Sequence, residues 1–345
     1  MKNASLLFIV LIIAIASIAQ KKMQLVESKE NKRVDVLWGG RLLTSYRWDD
    51  SVAKPFLFPV NTVNGKTVTR GWPLEPRGCE RTDHPHHTGV WMNYESVNGL
   101  DFWNNSTAIP AEKKNLYGTI RHDTIVQKLE SNNSAWLKVK ASWLHPDGHE
   151  LVKEETSFHF TVANGEFIID RKTVLSSLHE AVVFKDAKDG FYAIRVAREL
   201  ELPSTEAGNF TDAHGNVTNV PKMVSNEGVT GNYISSAGRT GDSVWGTKGT
   251  WVMLQGKKDA ADITIAMIDH PKNIGYPSYW HARGYGLFAA NPLGRKIFSN
   301  GKEESNFTLK PNTSVAFKYS LIIAERKISE KEMNKMADEF AKKKQ

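Results

Sequence analysis

Period-two alternation runs through most of this chain and limits what it can fold into more than any other feature. Trp136 to Trp143 (WLKVKASW) alternates apolar and polar residues, as do Glu155 to Val162 (ETSFHFTV), Glu166 to Val174 and Phe191 to Leu202. Thr250 to Leu254, Asp262 to Ile268 and Ser314 to Ile323 repeat the pattern. Successive side chains of an extended strand point to opposite faces, so such runs bury one face and wet the other. Pro146-Asp147-Gly148, Ala163-Asn164-Gly165, Asn300-Gly301 and Pro311-Asn312 supply turns between them. Asn164-Gly165 suits a two-residue hairpin. Many antiparallel strands in one chain favour an all-β fold, a large two-sheet antiparallel sandwich. One helix is well signalled: Ser329-Glu330-Lys331-Glu332 reads as a capping box, with Met333, Met336, Ala337 and Phe340 at helical spacing after it. This predicts a C-terminal helix over about 329–344.

The N-terminus carries a different pattern. Lys2 precedes a nearly unbroken apolar stretch from Leu6 to Ile18, and Ser17-Ile18-Ala19 offers small residues for cleavage before Gln20. The stretch falls short of the roughly 20 residues that span a bilayer. Residues 1–19 are expected to be a signal peptide, leaving 20–345 as one β-sandwich domain, periplasmic or secreted. No cysteine lies near the cleavage point, so a lipoprotein anchor is not expected, nor is membrane association after cleavage. The only cysteine, Cys79, allows no internal disulfide, so stability must come from burial. The net charge of +7 is dispersed, with no basic stripe interleaved with aromatics, and nucleic acid is not an expected partner. Residues 204–249, rich in Gly, Asn, Thr and Ser, read as long loops over one rim.

Chemistry-bearing residues gather in a few segments. Asp83-His84-Pro85-His86-His87-Thr88-Gly89-Val90-Trp91 places three histidines within four residues. Pro85 biases His84 towards extended backbone, which lets His84 and His86 share a face with His87 on the other. That first cluster continues with Asn98 to Trp103; Tyr117 to His122 and Asp186 to Arg195 follow, and the fourth cluster runs Asp269-His270-Pro271-Lys272-Asn273, then Tyr276 to Gly286. If the last part is a strand, His281, Arg283 and Tyr285 share one face and Trp280 takes the other. Aromatic faces stack on sugar rings, arginine and asparagine bond hydroxyls and carboxylates, and histidines move protons. The candidate catalytic residues are His84, His87, His122, His281 and Asp189. The candidate substrate contacts are Trp91, Trp103, Arg195, Asn273, Tyr279, Trp280, Arg283 and Tyr285.

Two schemes stay open. His84, His86, His87 and His281 can furnish ligands for a divalent metal, although no HExxH spacing is present. Alternatively, the histidines work without metal as acid and base, with a carboxylate such as Glu155, Asp189 or Asp269 orienting one of them. Asp170-Arg171-Lys172 and Glu154-Glu155 read as ordinary strand-edge charges.

Together, His84 to Trp91, Gly99-x-Asp-Phe-Trp103, Tyr117-Gly-x-Ile-Arg-His122, Asp189-Gly-x-x-x-x-Arg195 and Tyr279-Trp-His-x-Arg-x-Tyr-Gly286 resemble the DUF6807 family, over roughly residues 34–325. Thr88 departs from the arginine more usual there. The resemblance implies a β-supersandwich similar to the galactose mutarotase type and a carbohydrate-active role in an exported protein. The expected partner is therefore a carbohydrate substrate, handled by a hydrolase or lyase. A sugar mutarotase or epimerase and a non-catalytic carbohydrate-binding protein are the alternatives. The sequence does not specify the oligomeric state.

Overall fold

The computed structural model describes residues 22–222 and 225–343; the expected signal segment lies outside them. Two eight-stranded antiparallel sheets form a sandwich. In the first, the order is Met23–Ser28, Arg33–Trp38, Arg41–Arg47, Phe56–Val60, Val90–Tyr94, Gly190–Arg195, Leu287–Asn291 and Tyr279–Ala282. In the second, it is Asn232–Ser235, Trp251–Lys258, Ala261–Asp269, Ser314–Ala324, Glu166–Ser177, Glu150–Ala163, Ser134–Leu144 and Thr119–Glu130.

The alternating runs form strands as expected. Along Glu150–Ala163 burial alternates almost residue by residue. Its hairpin to Glu166–Ser177 turns on Asn164 (φ 52°) and Gly165 (φ 78°), with Ala163 opposite Glu166. Positive φ at both central residues is what a type I′ turn needs, and its twist matches the strands it joins. The inward faces interdigitate: Phe191 meets Phe317 at 4.4 Å and Tyr192 stacks on Tyr319 at 5.1 Å. One run is shorter than expected. The strand beginning at Gly190 ends at Arg195, because the chain turns into a short 3-10 segment at Arg198–Leu200.

Glu154 and Arg171 correct their reading as edge charges. Both are buried between the sheets, joined at 3.0 Å, and Glu154 also accepts from the Trp143 indole at 2.9 Å. A charge pair survives there because each member is hydrogen-bonded as well as neutralised. Asp170 is likewise buried, accepting from Ser320 at 2.6 Å and Lys343 at 2.7 Å.

The C-terminal helix spans Glu330–Lys342. Ser329 accepts from the Glu332 N–H at 3.3 Å, but the Glu332 carboxylate turns to Arg326, so the expected box is half formed. Met333 and Phe340 seal the outer face of the second sheet against Trp251, Ile268 and Ile322. On the first sheet's outer face a separate apolar cluster, including Phe56, Phe58, Trp91, Trp103, Ala193, Leu287 and Ala289, carries the polar groups described next.

Candidate functional site

A row of residues crosses four strands of the first sheet on its outer face. Trp91 lies opposite Ala193, Ala193 opposite Ala289, and Ala289 opposite His281. Strands lie about 4.8 Å apart, so the row is about 14 Å long. Its ends are an indole and an imidazole, and its middle is two methyl groups. Trp91 and both alanines are fully buried, and the first and fourth sequence segments meet over them; the depression that stays open to solvent is edged by the half-exposed His84 and Tyr285 and the exposed Arg283.

The histidine run covers the row and forms one edge of this depression. His84 takes left-handed backbone (φ 47°), and the His87 N–H bonds the His84 carbonyl at 3.0 Å. This tight turn corrects the expected extended arrangement, which would have put His84 and His87 on opposite faces. Instead the His84 and His87 rings stack at 4.7 Å with 2° between planes, His84 stacks on Tyr285 at 5.1 Å, and His87 stacks on Trp91 at 5.2 Å. Gly89 makes the approach feasible: a Cβ there would stand 2.0 Å from the Leu57 carbonyl oxygen.

Two buried arginines and one carboxylate fix the turn. Arg70 donates to the carbonyls of Arg81, Asp83, His84 and His87 and to Asp83 Oδ1 at 2.8 Å. Arg195 donates to the same Oδ1 at 2.6 Å and to His87 Nδ1 at 3.2 Å. Asp83 Oδ2 stands 3.0 Å from His84 Nδ1. Burial pushes the Asp83 carboxyl up, but Arg195, His84 and Arg70 together hold it well below the usual carboxylate range. Guanidinium only donates, so His87 Nδ1 must accept and the neutral ring carries its proton on Nε2. That Nε2 is buried without a protein partner, as are His86 Nε2, Thr88 Oγ1 and Trp91 Nε1. Buried polar atoms are nearly always paired in folded proteins, so these four, on the turn and the strand that follows it, leave room for a partner from outside the chain, water or ligand.

Across the depression, His281 Nδ1 faces Asp189 Oδ1 at 3.5 Å. Burial, then the Lys188, Arg283 and His84 charges, depress His281 to about 3. It is therefore neutral near pH 7, the form that accepts a proton. Burial raises the Asp189 carboxyl, opposed by Lys188. The His84 charge acts on both residues, and the Asp101 carboxylate acts on Asp189. Tyr285 bridges the two halves, with the Arg195 guanidinium over its ring at 4.8 Å and that of Arg283 at 5.7 Å.

Other candidates lie elsewhere. His122 sits on the strand Thr119–Glu130 of the second sheet, stacked on Trp48 at 4.2 Å and bonded to the Tyr46 hydroxyl at 3.0 Å. Asn273 is buried away from the depression, its amide spent on Asp269 and on both backbone groups of Lys318. Trp280 faces the inter-sheet core, fully buried, and its indole donates to the Gly249 carbonyl at 2.9 Å. Tyr279 points outward but bonds Glu303 at 3.1 Å and stacks on Phe298. Trp91 and Trp103 are buried beneath His87 and form the floor, with no exposed face for stacking. The strand ends at Ala282, so Arg283 and Tyr285 reach the site from a turn closed by the Gly286 N–H on the Arg283 carbonyl (2.9 Å). Of the carboxylates considered, Glu155 pairs with Lys138 on the second sheet at 2.7 Å and Asp269 caps its own loop; Asp189 alone meets a site histidine. Among the described residues no group of three or more His, Cys, Asp or Glu is placed to hold a metal ion, so His84, His86, His87 and His281 do not form the expected ligand set.

Lys54 belongs to the site and has no motif around it. Its ammonium is buried, donates to the His86 carbonyl at 2.6 Å and lies 5.3 Å from the centre of the Trp91 ring. Burial lowers it to about 7, opposed by the Asp101 charge.

Comparison with known proteins adds a family. The profile of DUF6807, a family of unknown function, matches residues 33–338. No curated protein matches. Among solved structures, the galactosidase domain of an alpha-galactosidase-sucrose kinase is 9% identical with a TM-score of 0.37, covering 87% of this chain. This chain spans only 41% of that one. A Synechocystis protein is 11% identical with a TM-score of 0.36, covering 88% of this chain and 96% of its own. A galactose mutarotase related enzyme from Lactobacillus acidophilus is 10% identical with a TM-score of 0.29, covering 89% and 100%.

Proposed function

The chain belongs to the DUF6807 family, and from that premise and the site's geometry we propose that it is an exported carbohydrate-active enzyme, a hydrolase or lyase that works by histidine acid–base chemistry. The observation that carries this is the approach of the stacked His84–His87 turn to the His281–Asp189 pair, with Tyr285 stacked on His84 between them. A sugar ring at the open edge of the site meets the His84 imidazole, the Arg283 guanidinium and the Tyr285 phenol. His281 Nδ1 lies 3.5 Å from Asp189 without a hydrogen bond in the protein; tightening of that contact when substrate binds would leave the Nε2 lone pair as the base. His84, paired to Asp83, is placed to return a proton to the leaving oxygen.

Neutral imidazole as the base favours elimination over the two-carboxylate route of most glycoside hydrolysis. In that reaction His281 removes a proton from carbon, the electron pair becomes a C=C bond, and the C–O bond to the leaving group breaks. Such a carbon acid needs an adjacent carbonyl or carboxylate, so the substrate class is a uronate-containing or keto-bearing glycoside. The test is incubation of the purified protein with neutral, uronate and keto-glycosides, with and without divalent metals. An unsaturated sugar and a released partner are expected from the last two classes. Failure to bind or turn over any glycoside would overturn the proposal.

A further inference from the structure

Beside the histidine depression lies a second cavity of about 280 Å³, and Tyr285 is the wall they share. Its lining includes Trp245, Arg283, Arg81, Asp242, Glu206 and Ser204. Ala282 and Gly284 line it too, so the segment that delivers His281 to one side delivers this wall to the other. A Cβ on Gly284 would stand 3.1 Å from Asp242 Oδ1 and 3.5 Å from Leu202 Cβ; its absence keeps that wall thin.

The chemistry of the lining is that of a sugar site. The Trp245 indole offers a flat apolar surface, with the Arg283 guanidinium 5.6 Å from its centre. Its N–H is buried and has no acceptor in the protein, so a ligand hydroxyl would complete it. Two guanidinium groups and two carboxylates cancel in charge, which disfavours an anion and suits vicinal hydroxyls. The volume falls just below the roughly 300–1,000 Å³ of drug-sized ligand pockets, room for a single ring.

We propose that this cavity is a second sugar subsite, holding the uncharged neighbouring pyranose of an oligosaccharide whose reacting residue lies between His84 and His281. The inference rests on the carbohydrate reading above and extends it to a substrate of at least two sugar units. Trp245 supplies the stacking face and a hydroxyl donor, and Arg283 touches both rings.

Isothermal titration tests this with glucose, cellobiose, maltose and laminaribiose, and with glucuronic acid and an aldobiuronic acid in which glucuronic acid is linked to a neutral pyranose, on wild type, Trp245→Ala, Trp245→Phe and Ser204→Trp. Ser204 is half-exposed at the rim, so its replacement fills the cavity without disturbing the core. At least one disaccharide is expected to bind wild type about tenfold more tightly than its monosaccharide, the upper range for an aromatic stack. Trp245→Ala and Ser204→Trp should abolish that gain, Trp245→Phe should keep part of it, and monosaccharide affinity should not move. Should Trp245→Ala misfold, Ser204→Trp decides alone. A disaccharide gain that persists in Ser204→Trp, or no gain in wild type, would refute the subsite and leave the acid–base reading standing. No binding of any sugar to wild type would remove both.

Discussion

Replacing Asp83 by asparagine isolates the force that shapes the histidine turn. Asp83 Oδ1 accepts from two buried guanidiniums, Arg70 at 2.8 Å and Arg195 at 2.6 Å, while Oδ2 faces His84 at 3.0 Å. The amide side chain of Asp83→Asn would keep the shape and one acceptor oxygen but take from two buried cations the one carboxylate hydrogen-bonded to both. Breaking a buried pair costs about 3–5 kcal/mol. Since 31% of the Asp83 side chain is open to water, the lower end applies, about 3 kcal/mol. At about 2 °C per kcal/mol for a large domain, the melting temperature should fall by about 6 °C at pH 7. The sign with pH follows from the depressed Asp83 carboxyl. Its contribution is full above about pH 4, the unfolded value, and is lost as acid protonates the folded group. The melting curves of wild type and Asp83→Asn should therefore converge in strong acid. Scanning calorimetry across pH measures this. A variant that melts within about 1 °C of wild type at pH 7 would refute the claim that this carboxylate holds the turn together.

Three further outcomes are expected. His281→Ala should lower turnover by about 10²-fold or more with little change in melting temperature; full activity in a folded variant would remove His281 from the chemistry. Wild type should lose stability relative to His281→Asn as pH falls from 6.5 towards about 3, because the unfolded ring takes up a proton that the folded one refuses; the slope is at most about 1.4 kcal/mol per pH unit, and parallel curves would contradict the depressed value. Trp280→Phe should cost about 1–3 kcal/mol in chemical denaturation, since the Gly249 carbonyl loses its buried donor, yet leave sugar affinity unchanged; weakened sugar binding would return Trp280 to the site.

The strands were legible because burial of one face writes period two directly into the residues, as along Glu150–Ala163. The convergence of His84 with His281 was legible only as a coincidence of residue types; the pairing of Ala193 with Trp91 and Ala289 that brings them together is long-range register. The same limit explains the misassigned residues. Trp280 and His281 are neighbours in sequence and face opposite sides, and which side is core depends on the partner sheet. His122 looked like a site histidine because it closes the Tyr117–His122 segment, yet its strand carries it to Trp48. Arg70 and Lys54 had no local signature at all. Their role comes from burial against backbone carbonyls of the turn, and single basic residues in polar loops do not announce that.

The most direct test of the central claim is where a sugar binds. Crystals of His281→Ala soaked with an oligosaccharide identified by turnover should show a ring against His84 and Tyr285, beside Asp189. A ring found on the second sheet, or anywhere out of reach of the His84–His87 turn, would contradict the account.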